Sequence, residues 1–203
     1  MKTQEELWDK EYSLKQTLWG KETKSLPAVM KGKKVLELGV GNGKTLFSIL
    51  KQNPKSVIAI DISEEAIKRC KETFNTKKVT FKKADARNLP FKKGDFDVVV
   101  CYYLLDNLTE NERTKVIEEI RKVLKKGGYV LFEDFAVGDF REEGHKNHST
   151  IKSTGLTCHF FSMRELIAIF KDFPSKELIQ ETSTPITHKP KLLRKIIRGI
   201  LKN

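Results

Sequence analysis

Three glycines at alternate positions, Gly39, Gly41 and Gly43, directly follow the apolar run Val35-Leu36-Glu37-Leu38. Glycine leaves the main chain bare, so such a turn lets a ligand approach backbone that any side chain would block, and the ligand implied is of nucleotide type. The spacing is GxGxG rather than the GxGxxG of dinucleotide folds. Asp61 closes the next β-branched run, Ser56-Val57-Ile58-Ala59-Ile60, where a carboxylate can accept hydrogen bonds from both hydroxyls of a ribose. Asp85 closes a third run and precedes Ala86, Arg87, Asn88, Leu89, Pro90 and Phe91; a carboxylate there can take the exocyclic amine of adenine.

These residues need a frame that brings successive strand ends to one edge. Short β-branched runs alternate with longer patterns of helical period, which implies βαβ units and a parallel sheet whose ligands bind at the carboxyl edge. Residues 34–38, 56–60, 79–81 and 96–101 read as the first four strands, the fourth almost wholly apolar and therefore central. Ser63 caps a helix with Glu64 and Glu65 in its first turn, and Thr109-Glu110-Asn111-Glu112 has the form of a capping box before a helix that Gly127-Gly128 stops. Residues 129–132 read as a fifth strand, 136–153 as a long functional loop, Ser162-Met163-Arg164-Glu165 as a second capping box, and Glu177-Leu178-Ile179 as the start of a sixth strand. In the tail, Leu192, Leu193, Ile196, Ile197, Ile200 and Leu201 recur at helical spacing, although residues 195–202 also read as a strand interrupted by Gly199.

Bulk properties narrow the function classes. The chain of 203 residues is one domain's worth. Cys70, Cys101 and Cys158 show no CxxC spacing, so neither a disulfide framework nor a zinc ribbon is expected; His145-x-x-His148 with His159 does not complete a tetrahedral set, and no metal is expected. No apolar run reaches a membrane-spanning length and the first residues carry no export signal, so a cytoplasmic location is expected. Lys+Arg 39 against Asp+Glu 27 gives a formal charge of +12, a field that attracts polyanions; Lys189, Lys191, Arg194, Lys195, Arg198 and Lys202 crowd near the end with no acid after Glu181.

The combination Glu37-x-Gly39-x-Gly41-x-Gly43, Asp61-Ile62-Ser63, Asp85-Ala86 with Leu89-Pro90-Phe91, Phe96-Asp97-Val98-Val99 and Leu124-Lys125-Lys126-Gly127-Gly128 resembles the class I S-adenosylmethionine-dependent methyltransferases, over about residues 8–132. The resemblance implies a Rossmann-like, doubly wound α/β fold with a mostly parallel seven-stranded sheet and one reversed edge strand, which favours a strand over a helix for residues 195–201. It implies S-adenosyl-L-methionine as cofactor and S-adenosyl-L-homocysteine as product. By the same resemblance Glu37 and Gly39 approach the methionine end, Asp61 and Ile62 meet the ribose, Asp85 and Ala86 frame adenine, and Cys101 with Tyr102 line the fourth strand's end. Trp8 and Tyr12 share one face of an early amphipathic segment and are expected to form a lid.

The expected layout is a single methyltransferase domain over 1–203, with a helical lid at 1–30, a cofactor-binding half at 31–133 and an acceptor-side half at 134–203. Methyl transfer from sulfonium needs alignment above all, and a base where the acceptor is protonated; Asp106, Glu133, Asp134 and His159 are candidates by position, with Asp106, Asp134 and His159 foremost. Asp134-Phe135, Gly155, His159-Phe160-Phe161-Ser162 and Glu165-Leu166 resemble the back half of methyltransferase-like tRNA cytidine methyltransferases, from which Glu133 departs where that family usually has arginine. The acceptor expected is therefore an RNA (tRNA) base, engaged partly through the basic tail. A small-molecule acceptor and a non-catalytic cofactor- or RNA-binding module are the alternatives.

Overall fold

Alternation of apolar side chains along β1 (Lys34–Leu38) and β4 (Phe96–Tyr102) sends them to opposite faces of one sheet, and each face has its own helices to bury. The computed structural model describes residues 3–14, 25–142, 149–151, 155–183 and 193–203. Besides β1 and β4 these contain α1 (Gln4–Leu14), α2 (Lys44–Lys51), β2 (Ser56–Asp61), α3 (Glu64–Thr73), β3 (Val79–Lys83), a 3-10 turn (Leu105–Asn107), α4 (Glu110–Val123), β5 (Leu124–Phe135), β6 (Ser149–Ile151), β7 (Thr157–His159), α5 (Met163–Ile169), β8 (Ser175–Ser183) and β9 (Arg194–Lys202).

Seven strands form one sheet in the order β3-β2-β1-β4-β5-β9-β8, and β6 pairs with β7 as a separate ribbon. The first five are parallel neighbours; β9 runs antiparallel to both β5 and β8. Val35, Val57, Ala59, Val98, Val100 and Leu131 pack against α2 and α3 through Leu46, Ile49 and Ile67. The intervening residues Leu36, Leu38, Val99, Val130 and Phe132 pack against Val116 and Ile120 of α4, Leu166 of α5 and Phe170 just past its end. β4 is the middle strand, as its unbroken apolar run requires.

Local signals act as chemistry dictates. Ser63 Oγ accepts from Ala66 N at 3.1 Å, and the Thr109–Glu112 capping box is complete. At α5 the box is half built: Ser162 Oγ accepts from Glu165 N at 3.1 Å, but the Glu165 carboxylate turns to His159 Nε2 at 2.8 Å.

Two expectations are corrected, the helix stop at Gly127-Gly128 and the unbroken loop at 136–153, and the tail and its reversed strand can be placed. Gly127-Gly128 does not stop α4, which ends at Val123, because Leu124 is already extended and opposite Phe96 of β4; the sheet ladder outcompetes the helix four residues early. The tail is the strand that the family resemblance implied, not the helix its spacing alone would allow: residues 194–202 are strand, and Ile197 and Leu201 fill the α4–α5 side of the core beside Phe132. Gly199 in that strand gives room to Leu178 of β8, which a Cβ would strike. The reversed strand sits one place in from the rim, with β8 outside it. In the stretch read as loop, residues 149–151 pair with 157–159; His145 and His148 lie outside the described residues.

Candidate active site

The chain leaves β1 through Gly39, Gly41 and Gly43, all left-handed at φ 69°, 54° and 79°. Gly41 shows why glycine is needed: besides its φ, a Cβ there would come 2.7 Å from the Tyr12 hydroxyl of α1. Its amide donates to Asp61 Oδ2 at 2.9 Å, and Ser63 N donates to Asp61 Oδ1 at 3.0 Å. The glycine turn and the tip of β2 are thereby locked together. Burial pushes the Asp61 carboxyl up to about 6, with the amides of Ser63, Gly41 and Ile62 pulling the other way. Three amides leave part of the carboxylate's acceptor capacity open to a hydroxyl donor.

One strand back, Glu37 is buried; desolvation and then the Asp61 charge hold its carboxyl well above the usual range. Its Oε2 meets no hydrogen-bond partner among the described residues. A buried carboxylate oxygen left open beside a bare glycine turn is a ready acceptor for a cationic or N–H-bearing ligand, and the residues present fit an aminoacyl-nucleoside such as S-adenosylmethionine.

A cleft in two parts runs along this edge. The smaller, about 70 Å³, is walled by Asp61, Ile62, Ala84, Asp85, Ala86 and Leu108. The larger, about 220 Å³, is walled by Gly41, Asn42, Tyr102, Asp106, Phe135, Arg141, Cys158 and Arg194. Trp8, Tyr12, Gly39, Tyr103 and Asn107 line both. The Trp8 and Tyr12 rings stack with centroids 5.6 Å apart, so α1 covers the junction. The helix is fastened there by Asp9, whose Oδ1 accepts from Ser63 Oγ at 2.5 Å and Glu65 N at 3.3 Å, and by a Glu5–Lys83 ion pair at 2.6 Å.

Asp85 lines the smaller part with its carboxylate engaged by Arg87, Nη2 to Oδ2 at 2.7 Å. Burial alone would raise its proton affinity, but the Arg87 bonds hold it below the usual carboxylate range.

The proposed base residues separate. Asp106 is buried yet borders the larger part, its Oδ1 accepting from Asn107 Nδ2 and its Oδ2 facing the Cys158 thiol at 3.4 Å. Asp134 lies behind it, fully buried, with Oδ2 accepting from Asp106 N and Oδ1 from Phe135 N, each at 3.2 Å. Burial and then the Asp106 charge push the Asp134 carboxyl well above its ordinary value. His159 is bound to Glu165 and borders neither part of the cleft. Glu133 accepts from the Tyr103 hydroxyl and pairs with Arg198 at 3.3 Å.

Cys101 is also turned away: it faces the α4–α5 side of the sheet, while Tyr102, one step along the strand, reaches the cleft. Reading both as lining neglects the twofold period of a strand. Residues not singled out as site residues, Tyr103, Asn107, Phe135, Arg141 and Arg194, all line the larger part. Tyr103 sits at φ +53°, an uncommon conformation for a bulky residue, and its position just after an apolar strand was the signal for it. Among the described residues, no group of three or more His, Cys, Asp or Glu is placed to hold a metal ion.

A family model described as a methyltransferase domain matches residues 35–128. Over those residues the chain is a class I S-adenosylmethionine-dependent methyltransferase. Within this methyltransferase family it is 38% identical over 120 residues to a tRNA (carboxymethyluridine(34)-5-O)-methyltransferase of Arabidopsis thaliana, over 58% of this chain and 28% of that one. It is 28% identical over 153 residues to the tRNA(Thr) (cytosine(32)-N(3))-methyltransferase of Saccharomyces cerevisiae, over 67% of this chain and 24% of that one. The chain thus spans only about a quarter of the length of these curated relatives. Other relatives carry names of small-molecule methyltransferases. The fold is shared with a crystal structure described as a SAM-dependent methyltransferase from Methanosarcina mazei, at a TM-score of 0.71 and 22% identity, covering 88% of this chain and 98% of that one. Among the described residues no helix is long and apolar enough to cross a membrane.

Proposed function

We propose that the chain transfers the methyl group of S-adenosylmethionine to a base of RNA, with tRNA as the first acceptor to test. The observation that carries the reading is the two-part cleft: a narrow part walled by Asp61, Asp85 and Ala86, the residue types that bind a ribose and an adenine edge, opens past Gly39 and Tyr103 into a second space of about 220 Å³. When bound, the cofactor supplies a methyl group already activated on sulfonium. The work left to the protein is alignment, exclusion of water and, for a protonated acceptor atom, removal of a proton. Glu37 would hold the aminoacyl end, Asp61 the ribose, and Ala86 with Asp85 the adenine edge. Trp8 and Tyr12 would close the junction against water. Asp106 borders the larger space and is the candidate base; Asp134 positions it from behind. A single catalytic domain, with residues 1–30 as lid and 134–203 as acceptor side, fits this division.

The +12 charge and the names of the tRNA-acting relatives favour RNA. A small-molecule acceptor is the second reading, supported by the modest 220 Å³ of the larger space. Incubation of the purified protein with methyl-labelled cofactor and bulk tRNA tests the choice: label should appear in nucleosides released from the tRNA. Tight binding of S-adenosylhomocysteine with no label in tRNA would move the assignment to a small acceptor, or to a module without turnover.

A further inference from the structure

Resting on the methyl-transfer reading, we infer that the acceptor carries an acidic group, a carboxylate or a phosphate, which seats between Arg141 and Arg194 in the larger part of the cleft. Arg141 follows β5 and Arg194 opens β9, more than fifty residues later, yet both line the same cavity. The Phe135 ring gathers them: its centroid lies 3.8 Å from the Arg141 guanidinium carbon and 5.7 Å from that of Arg194. Arg194 also stands 5.7 Å from the Tyr103 centroid. Stacking on the Phe135 face fixes the plane of the Arg141 guanidinium, while Arg194 keeps a looser cation–π contact with both rings.

Their donors are only partly used. Asp139, its side chain wholly buried, holds Arg141 through Nε at 2.7 Å and Nη2 at 3.1 Å, which aims the group while leaving Nη1 outside that fork. Arg194 donates Nη2 to the Tyr103 hydroxyl at 3.1 Å, and its Nε is buried with no acceptor among the described residues. Glu133, which shares the Tyr103 hydroxyl with Arg194, is itself paired with Arg198. Lys44 adds a third cation to the cavity wall. A buried guanidinium N–H without an acceptor is costly, and a carboxylate or phosphate oxygen supplies the acceptor and the counter-charge together. A neutral acceptor of equal shape would leave that donor open and bind correspondingly weakly.

Two matched pairs of probes decide the point, titrated calorimetrically in the presence of saturating S-adenosylhomocysteine: cytidine 5′-monophosphate against cytidine, and benzoate against benzamide. At least one acidic member should bind tenfold or more tightly than its neutral twin. The gap should shrink below threefold in Arg194→Gln and survive in part in Arg194→Lys, with affinity for S-adenosylhomocysteine unchanged. Which pair shows the gap distinguishes a nucleotide phosphate from a carboxylate. If Arg194→Gln fails to fold, Arg141→Gln carries the same comparison. Equal binding within both pairs, or a gap untouched by loss of either arginine, overturns the inference. Should S-adenosylhomocysteine itself not bind, the methyl-transfer reading falls, and the same pairs titrated without it still decide whether the anion seat exists.

Discussion

The Gly41 amide donates to Asp61 Oδ2 at 2.9 Å, so the turn after β1 and the carboxylate ending β2 behave as one part. Gly41→Ala attacks it twice, forcing an L side chain into φ +54° and driving a Cβ into the Tyr12 hydroxyl of α1. The left-handed conformation alone costs about 1–2 kcal/mol. The expected result is a modest fall in unfolding free energy with a loss of S-adenosylhomocysteine affinity of at least tenfold, read by denaturation and calorimetry on the same sample. Unchanged affinity would mean that the turn does not touch the cofactor.

Asp61, raised to about 6 by burial, gives cofactor binding a pH dependence of definite sign. Hydroxyl donors favour the ionised carboxylate, so affinity should be full above pH 6 and fall as the pH drops through that value. Stability without cofactor runs the other way: this group's contribution is present below its unfolded value near 4 and is lost as pH rises through 6. Titration with S-adenosylhomocysteine between pH 5 and 7.5 checks the first statement; a flat profile there would remove Asp61 from the ribose contact.

Asp9 fixes α1 over the cleft through Ser63 Oγ and Glu65 N. Asp9→Ala should release about 1 kcal/mol of docking energy, with faster amide exchange over Gln4–Leu14 and a higher KM for the cofactor. The core of the sheet should keep its exchange protection. If α1 stays equally protected, Trp8 and Tyr12 are fixed by packing and not by this tether.

Asp106 and Asp134 touch but have separate duties. Asp106→Asn should lower kcat roughly a hundredfold or more if the side chain takes a proton, with cofactor affinity changed less than twofold. Asp134→Asn leaves a neutral group where burial already favours one, but Asp106 N and Phe135 N donate to different oxygens, one of which becomes an NH2 that cannot accept. It should therefore cost about 1–2 kcal/mol of stability and reduce kcat less than its neighbour does. Normal turnover in Asp106→Asn would end its candidacy.

Local chemistry was legible in the sequence wherever a residue's task is settled by its own neighbours. The glycine turn, Ser63 as a cap, the Thr109–Glu112 box and the apolar centre of β4 were all readable, because each depends on a few consecutive residues. The tail was legible only through the family resemblance, since Ile196, Ile197, Ile200 and Leu201 satisfy a helical stripe as well as a strand, and contact with Phe132 and β8 selects the strand. Leu124 likewise leaves α4 early to pair with a residue 28 positions back. Arg141 and Arg194 were invisible as a pair because the Phe135 ring, not sequence proximity, unites them.

The reversed placement of β9 also constrains assembly. β8 precedes β9 in the chain but has no other neighbour in the sheet, so it can join the sheet only through the later strand, whether the two pair first or β9 first meets β5. The same relation makes residues 194–202 a keystone: shaving them off would not trim a border but would bare two strands at once, each with a full row of unanswered amides and carbonyls open to a stranger's backbone.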